Sequence, residues 1–405
     1  MSADPRYDGH GVKVLLTVVV LLASMLVSTR TVRASGVEII PGLEFREEYN
    51  DNIFLSTTGK QSDFISTLSP SLRLVSRSDR ANVNFRAGLN WLSYARIDGL
   101  DAVDALTSGS VQYRLSERTD LSGSASYTQA SRPDTINEIS QLASSSSSDR
   151  QAYSLSMSEV LDELSKAGAS YSYRKTEYDN PGLLDVTEHA AGATISRDLS
   201  AIVPRLTGST NLGFSRSIYT NATTDNYSVS AALNWLASER FVCFASGGVR
   251  YTYSSFTALQ VPTLTEAEQS RDNWGLTGSL GIRYTGEKWQ SSLALARDFA
   301  STSGQIGASE QTSASFDFNR LLTEKLGVSF STIYSINKAD AGEFSIRGTD
   351  DHTLRVSTGF QYDLSRDANI GLQYSYYSVD YRASGTSAEQ NILFLRAQIN
   401  FPVRR

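Results

Sequence analysis

Few residues in this chain could do acid–base or metal chemistry. It holds three histidines, His10, His189 and His352, and one cysteine, Cys243. His189 and His352 fall near the outer ends of segments that read as the eighth and sixteenth strands. In a ring of about 18 strands that separation is nearly diametric. The two cannot share a site that needs hydrogen-bond reach. Each could still pair with a local Ser or Asp, as His352 could with Asp350 or Asp351, which a barrel hydrolase would require. A lone cysteine excludes an internal disulfide and a cysteine metal cluster. Its neighbours Phe241, Val242 and Phe244 suit an inert wall position. No phosphate-cradling glycine loop or zinc spacing is present. Asp340, Glu343, Asp350 and Asp351 make acidic patches in expected outer loops. They read either as solvated loop or as ligands for divalent cations that bridge lipopolysaccharide. Neither a resident metal nor a cofactor is expected.

The stronger signal is electrostatic. Arg73, Arg86, Arg114, Arg174, Arg250, Arg283, Arg355 and Arg396 share one side of an alternating pattern whose other side carries Leu, Val and aromatics. The acids on that side are fewer: Glu44, Glu48, Asp317 and Asp363. Basic residues lining a lumen favour anionic solutes. The competing reading pairs these arginines with neighbouring acids or inward loops that stiffen a wall.

Those side chains need strands to position them. The alternation recurs with period two over segments of about 10–15 residues. In one, Val83, Phe85, Ala87, Leu89 and Trp91 alternate with Asn82, Asn84, Arg86, Gly88 and Asn90. In another, Ile370, Leu372, Tyr374 and Tyr376 alternate with Asn369, Gly371, Gln373 and Ser375. A soluble sandwich and a membrane barrel both alternate in this way. The polar faces here are mostly Ser, Gly, Asn, Thr and isolated Arg, whereas a soluble surface carries more Lys and Glu. The segments also exceed the usual globular strand and match tilted membrane strands. The composition agrees: 20 Tyr and 16 Phe stand beside few Cys, His and Pro, as a half-apolar wall around a polar lumen requires. A net charge of −6 gives no basic footprint for nucleic acid.

The connections favour the barrel. Short charged turns, such as Arg77-Ser78-Asp79-Arg80 and Thr323-Glu324-Lys325, alternate with longer polar loops near 53–61, 131–148, 179–185, 257–270, 301–309, 338–348 and 383–387. Short periplasmic turns and long external loops are the asymmetry of outer-membrane barrels. The expectation is one all-β domain over 35–405. It is a transmembrane antiparallel up-and-down β-barrel of about 18 strands, or 16 if one hairpin is misread, with both ends in the periplasm. The second, tenth and twelfth strands are placed at 62–75, 226–237 and 271–285. Trp91, Trp235, Trp274 and Trp289 fall near strand ends, as interfacial girdles do. The serine run 144–148 reads as a solvated tip. Any plug must come from outer loops such as 131–148 or 257–270.

Residues 1–34 read as a secretory signal peptide. Arg6 and Lys13 precede an apolar run from Val14 to Val27, and Val32-Arg33-Ala34 before Ser35 resembles a cleavage site. The apolar run is short for a membrane-spanning helix.

The first mature segment resembles a known family. Pro41-Gly42-Leu43-Glu44-Phe45, Glu48-Tyr49-Asn50-Asp51-Asn52-Ile53-Phe54-Leu55, Asp63-Phe64-Ile65 and Leu68-Ser69-Pro70-Ser71-Leu72 resemble the opening of outer-membrane β-barrel porins linked to exopolysaccharide gene clusters. These include barrels associated with PEP-CTERM protein-sorting systems. The motif covers about 35 residues, and beyond it the likeness is in strand pattern. The resemblance implies a barrel in the outer membrane of a Gram-negative bacterium that helps polysaccharide cross. It assigns no catalytic residue. Such barrels typically end on an aromatic of the last strand; here Ile399 and Phe401 keep the outward pattern before Pro402-Val403-Arg404-Arg405. Phe401 is therefore the candidate assembly signal.

The expected function is a porin-like, non-enzymatic channel for exopolysaccharide export. The alternatives are a general diffusion porin for small anionic solutes and a loop-closed structural or adhesive barrel. Expected partners are outer-membrane lipid and lipopolysaccharide, with polysaccharide and periplasmic export components if export is the role.

Overall fold

A computed structural model describes residues 36–136, 143–144, 146–180, 183–220, 222–256, 260–261, 264–265, 269–301, 308–339 and 349–404. The signal segment 1–34 with His10, and the loop acids Asp340 and Glu343, lie outside the described residues.

Eighteen long strands make the wall. They are β1 (Val37–Asn50), β2 (Asp63–Arg77), β3 (Ala81–Tyr94), β4 (Ala102–Arg114), β5 (Thr119–Ala130) and β6 (Ser148–Val160). Next come β7 (Ser165–Tyr178), β8 (Val186–Asp198), β9 (Leu206–Tyr219), β10 (Ala222–Leu236), β11 (Phe241–Phe256) and β12 (Gln269–Thr285). The last are β13 (Trp289–Ser301), β14 (Ala308–Leu321), β15 (Leu326–Ala339), β16 (Thr349–Asp363), β17 (Ala368–Tyr381) and β18 (Thr386–Asn400). Each pairs antiparallel with its sequence neighbours, and β1 pairs with β18 from Gly42↔Asn400 to Asn50↔Ile392. The ring is closed, the form that lipid requires of a spanning sheet.

The outer face is apolar. Leu43, Phe45, Leu72, Val83, Leu155, Leu212, Leu295 and Leu395 are all exposed on it. In a soluble protein this surface would be unstable; against acyl chains it is the favourable one. Aromatics border it. Near the turns, the Tyr284 and Trp289 rings stack at 4.0 Å, with Phe241 4.9 Å from Tyr284. Towards the loops, Tyr251 lies 5.1 Å from Trp274 and 6.3 Å from Tyr227.

The turns explain the sharp strand ends at the periplasmic side. Most begin with a small polar residue that accepts an amide two or three residues on. Ala81 N donates to Ser78 Oγ, Arg118 N to Ser116 Oγ, Leu164 N to Asp162 Oδ1 and Asp367 N to Ser365 Oγ. β10 begins at Ala222, earlier than the alternation places it. Asp225 makes a bidentate pair with Arg216, both bonds 2.7 Å, which carries the β9–β10 hairpin up to Tyr219↔Ala222. The β2–β3 ladder skips Ser69 and Pro70, because proline has no N–H to give.

One circuit of the ring along these registers returns to β1 displaced by about 22 residues, which implies a strand tilt of roughly 40° and a backbone radius of roughly 18 Å. A ring of that radius leaves an aqueous lumen unless loops fill it.

Candidate functional site: the channel mouth and its inner wall

Two connections on the loop side fold inward. The first follows β1. Along β1 the even residues Glu44, Arg46, Glu48 and Asn50 face away from the exposed Leu43, Phe45 and Tyr49. Residues 51–62 then turn over the lumen. Ile53 is fully buried against Ile65, Leu92 and Tyr94, and Leu55 packs with Tyr377, Val379 and Ala388. Leu55 takes a left-handed backbone (φ 48°) to do so, a strained geometry that its buried side chain holds in place. This loop thus spans from β2 and β3 on one side to β17 and β18 on the other.

The tyrosine–Asn–Asp–Asn stretch gives this loop its shape. Asn52 Nδ2 donates to the Ser56 and Glu389 carbonyls at 3.0 and 2.8 Å, while its Oδ1 accepts Ser56 N. Asp51 accepts Asn391 N and Nδ2, both at 2.7 Å. Asn50 Oδ1 accepts Asn52 N at 2.9 Å. Each side chain satisfies backbone that would otherwise be buried without a partner.

The second inward connection follows β5. Ser131 N donates to Asp104 of β4, and the chain then crosses to β1. Arg132 Nη2 donates to Glu48 Oε1 at 2.6 Å and to Asp134 Oδ2 at 2.9 Å, with Nε on Asp134 Oδ1 at 2.9 Å. Arg46 Nη2 closes on Glu48 Oε2 at 2.9 Å. Asp134 Oδ2 also accepts Asn50 Nδ2 and Gln390 Nε2, each at 2.9 Å. The side chains of Glu48 and Asp134 are 2 % and 4 % exposed. Burial alone would lower the Arg132 pKa, but Asp134 and Glu48 together hold it well above its ordinary value. Burial likewise favours a neutral Asp134, and Arg132 with the Gln390 amide overrides it, holding the carboxyl below the usual range. The loop after β5 is therefore tied to β1 and β18 by one ionic knot at the mouth.

The knot was only partly visible in sequence. Loop 131–148 is among the expected plugs, and the structure docks its first residues. The other expected plug, 257–270, falls largely outside the described residues. Loop 53–61 carries no plug expectation, yet it is tied firmly inside. Arg46 was discoverable, since it lies between Glu44 and Glu48, both already placed inward. Arg132 was not, because a loop has no periodicity.

The register places all eight arginines opposite the apolar belt, at different levels. Arg73 and Arg86 face each other directly across β2 and β3. Arg114 ends β4 beside Asp120, 3.9 Å away. Arg174 pairs with Glu188 at 2.9 Å, and Arg250 with Glu310 at 3.0 Å. Arg396 Nη2 donates to Gln361 Oε1 at 3.3 Å. Arg283 and Arg355 stand exposed on β12 and β16. The set is neither one ring nor fully neutralised. Beside Arg73 and Arg86 the wall is lined by hydroxyls, with Ser108, Ser110, Ser124 and Ser126 around an open recess of about 570 Å³. Ser124 and Ser154, and Ser122 and Ser156, bond at 2.7 and 2.6 Å across β5 and β6.

The histidines face outward and do not meet. His189 Nδ1 bonds Tyr171 Oη at 2.8 Å, and His352 Nδ1 bonds Tyr334 Oη at 2.6 Å. Asp350 does lie beside His352, at 3.2 Å, but on the same outward face. Cys243 is a half-buried wall residue on the outward side of β11. Among the described residues, no group of three His, Cys, Asp or Glu is disposed to hold a metal.

Phe401 follows β18 with its ring half exposed, and its amide donates to the Pro41 carbonyl at 2.8 Å. Val403 and Arg404 then pair with Ile39 and Glu38, so the tail continues the β1–β18 seam.

The family described as Putative beta-barrel porin 2 matches residues 33–199, the stretch from the first strand to the end of β8. No curated protein sequence matches the chain. Among solved structures, Acinetobacter baumannii OccAB4 is 11 % identical, with 91 % of this chain and 99 % of that one covered and a TM-score of 0.47. Pseudomonas aeruginosa OpdK, crystallised with vanillate, is 9 % identical over 90 % of this chain and 99 % of that one, at 0.47. The ferric-catecholate import receptor Fiu of E. coli K12 is 10 % identical over 89 % and 81 %, at 0.47. The closed 18-strand ring, its apolar belt and its aromatic borders are those of a barrel of the Gram-negative outer membrane.

Proposed function

We propose that this barrel is a porin-like channel for hydroxyl-rich anionic solutes, with an acidic sugar polymer on its way to the cell surface as the cargo class. One observation carries the reading. Arg73 and Arg86 stand opposite each other on the inner face with no acid paired to either among the described residues, and serine hydroxyls continue the wall beside them. Like charges directly opposite are unfavourable unless an anion relieves them. Arginine forks bind carboxylate or phosphate, and serines bond sugar hydroxyls without selecting a sequence. The link to exopolysaccharide export, and to periplasmic export partners, rests on the likeness of the first mature segment to barrels of such gene clusters.

The test is current block. Purified protein in a planar bilayer is exposed to an acidic oligosaccharide and to a neutral one of equal length. The acidic chain is expected to block at lower concentration, and Arg73→Gln with Arg86→Gln to remove that advantage. Equal block by both, unchanged in the double variant, contradicts the proposal. A second reading, a barrel closed by its loops, is favoured by the buried packing of Ile53 and Leu55 along the β17–β3 side of the mouth. It predicts no current until that packing is broken.

A further inference from the structure

From β13 to β18 the registers set two rows of inward residues side by side. One runs Gln290↔Asn319↔Ser329↔Gly359↔Gln373↔Phe394. The other, nearer the periplasmic turns, runs Leu321↔Gly327↔Gln361↔Gly371↔Arg396. Their outward neighbours, such as Leu372 and Leu395, belong to the apolar belt. The middle of both rows is small: Gly327, Gly359 and Gly371 leave bare backbone, and the longer side chains stand at the ends. The result is an open recess of about 460 Å³ on the lumen face, with the turn 286–288 at its periplasmic end. Five strand spacings make this groove roughly 24 Å long. The next residues of the two rows, on β1, are Glu48 and Arg46 of the mouth knot.

Arg396 is held in this groove with binding capacity to spare. Its guanidinium lies over Gly371, where a Cβ would stand 3.6 and 3.7 Å from Nη2 and Nε. Nη2 donates to Gln361 Oε1 at 3.3 Å, and Gln361 Nε2 donates in turn to Asp363 Oδ1 at 3.0 Å. Among the described residues no carboxylate pairs with Arg396, and its buried Nε has no acceptor. Directly across the β1–β18 ladder stands Arg46, whose Nε is also buried without an acceptor while its Nη2 serves Glu48. A buried N–H left unpaired is costly, and like charges directly opposite are unfavourable. An anion between the two arginines relieves both. The Phe394 ring lies beside them, 5.0 Å from the Arg46 guanidinium. At the other end the exposed Gln290 and Asn319 amides have no side-chain partner among the described residues. Each offers both a donor and an acceptor, as a hydroxyl requires.

A groove long and bare along its floor suits an extended chain better than a compact solute. Amides at one end and an unpaired cationic fork at the other suit hydroxyls and a carboxylate. We propose that the β13–β18 groove binds an extended segment of an acidic polysaccharide entering from the periplasm. Sugar hydroxyls bond Gln290, Asn319 and Gln373, and a uronate carboxylate sits on Arg396. The acids Glu287 and Asp363 border the periplasmic end, so the carboxylate is accepted at the far end, beside Arg46. This rests on the reading of the barrel as a saccharide channel, and adds where the chain is held and along which arc of wall it moves. A chain that fills the groove arrives at the foot of the docked loop.

Equilibrium binding to the intact barrel in lipid nanodiscs tests it, read by the fluorescence polarisation of labelled hexagalacturonate. Arg396→Gln is expected to weaken binding at least about ten-fold, the loss of one charged donor. Gly327→Leu changes no charge and fills the floor. A Cβ there meets its nearest neighbour, Leu321 Cδ2, at 3.8 Å, an ordinary contact. It is expected to weaken binding by a similar factor, as is Ser329→Leu if the first variant does not insert. Ala190→Leu, inward on β8 and outside the groove, is expected to leave binding unchanged. Unlabelled digalacturonate, which spans only part of the groove, should compete far more weakly than the unlabelled hexamer. Parent-like binding in the filled variants overturns the groove whatever Arg396→Gln does, because a charge change alone reports the field of the lumen. Equal competition by dimer and hexamer overturns it too. If the groove variants bind normally and Arg73→Gln with Arg86→Gln abolishes binding, the channel reading stands without the groove. No binding by the parent overturns both.

Discussion

Replacing Arg132 by alanine should open the mouth without weakening the wall. The side chain makes four hydrogen bonds of 2.6–3.2 Å to Glu48 and Asp134. Its loss leaves two buried carboxylates close together. Removing one partner of a buried ion pair costs about 3–5 kcal/mol. The lower end applies here, because Glu48 keeps Arg46 at 2.9 Å and Asp134 keeps the Asn50 and Gln390 amides. The stranded carboxylate also has an escape, since Asp134 sits on a loop that can swing into water. About 3 kcal/mol then appears as undocking of that loop, a shift of roughly a hundred-fold in its docked-to-free ratio. The ring itself loses no ladder bond. Single-channel recording should show larger or more fluctuating conductance, while the heat needed to unfold the barrel on a gel stays within a few degrees of the parent. Arg132→Ala with Asp134→Ala should cost less than the single change, because it removes one stranded charge. Unchanged conductance in a correctly inserted Arg132→Ala barrel refutes the role given to the knot.

Further outcomes follow from the same contacts. Asp134 titrates below the usual carboxylate range when docked, so docking is favoured fully above the free value of about 4 and lost as pH falls through the depressed one. Conductance should therefore stay constant from neutral pH down to about 4 and rise only below it; a rise between pH 6 and 5 would point to another group. Asn52→Ala removes the Ser56 and Glu389 bonds and should loosen the first loop by about 1–2 kcal/mol, read as faster proteolysis within 51–62 in intact cells. Phe401→Ala should lower the membrane-inserted fraction and leave folding in detergent unchanged; equal insertion removes Phe401 as the assembly signal.

The wall was legible in sequence because lipid on one side and water on the other impose a period of two. The ladder then places each strand within a few residues. β2 and β12 fall within two residues of where the alternation puts them, and β10 departs only because Arg216 and Asp225 extend a hairpin past its apolar pattern. The inward arginines follow from the same parity. What they pair with does not: Arg174 meets Glu188 on the adjacent strand, while Arg250 reaches Glu310 three strands away. The mouth was least legible. The partners of Asn50 and Asp51, namely Asp134, Gln390 and Asn391, come from loops and strands far along the chain. Side chains that serve non-local backbone leave no periodic trace.

The central claim is an aqueous lumen that prefers anions. The direct test is the reversal potential of the purified, membrane-inserted protein across a potassium chloride gradient. The account predicts stepwise conductance with chloride more permeant than potassium, and a preference that falls towards parity in Arg73→Gln with Arg86→Gln. A cation-selective current, or no current in both the parent and Arg132→Ala, contradicts it.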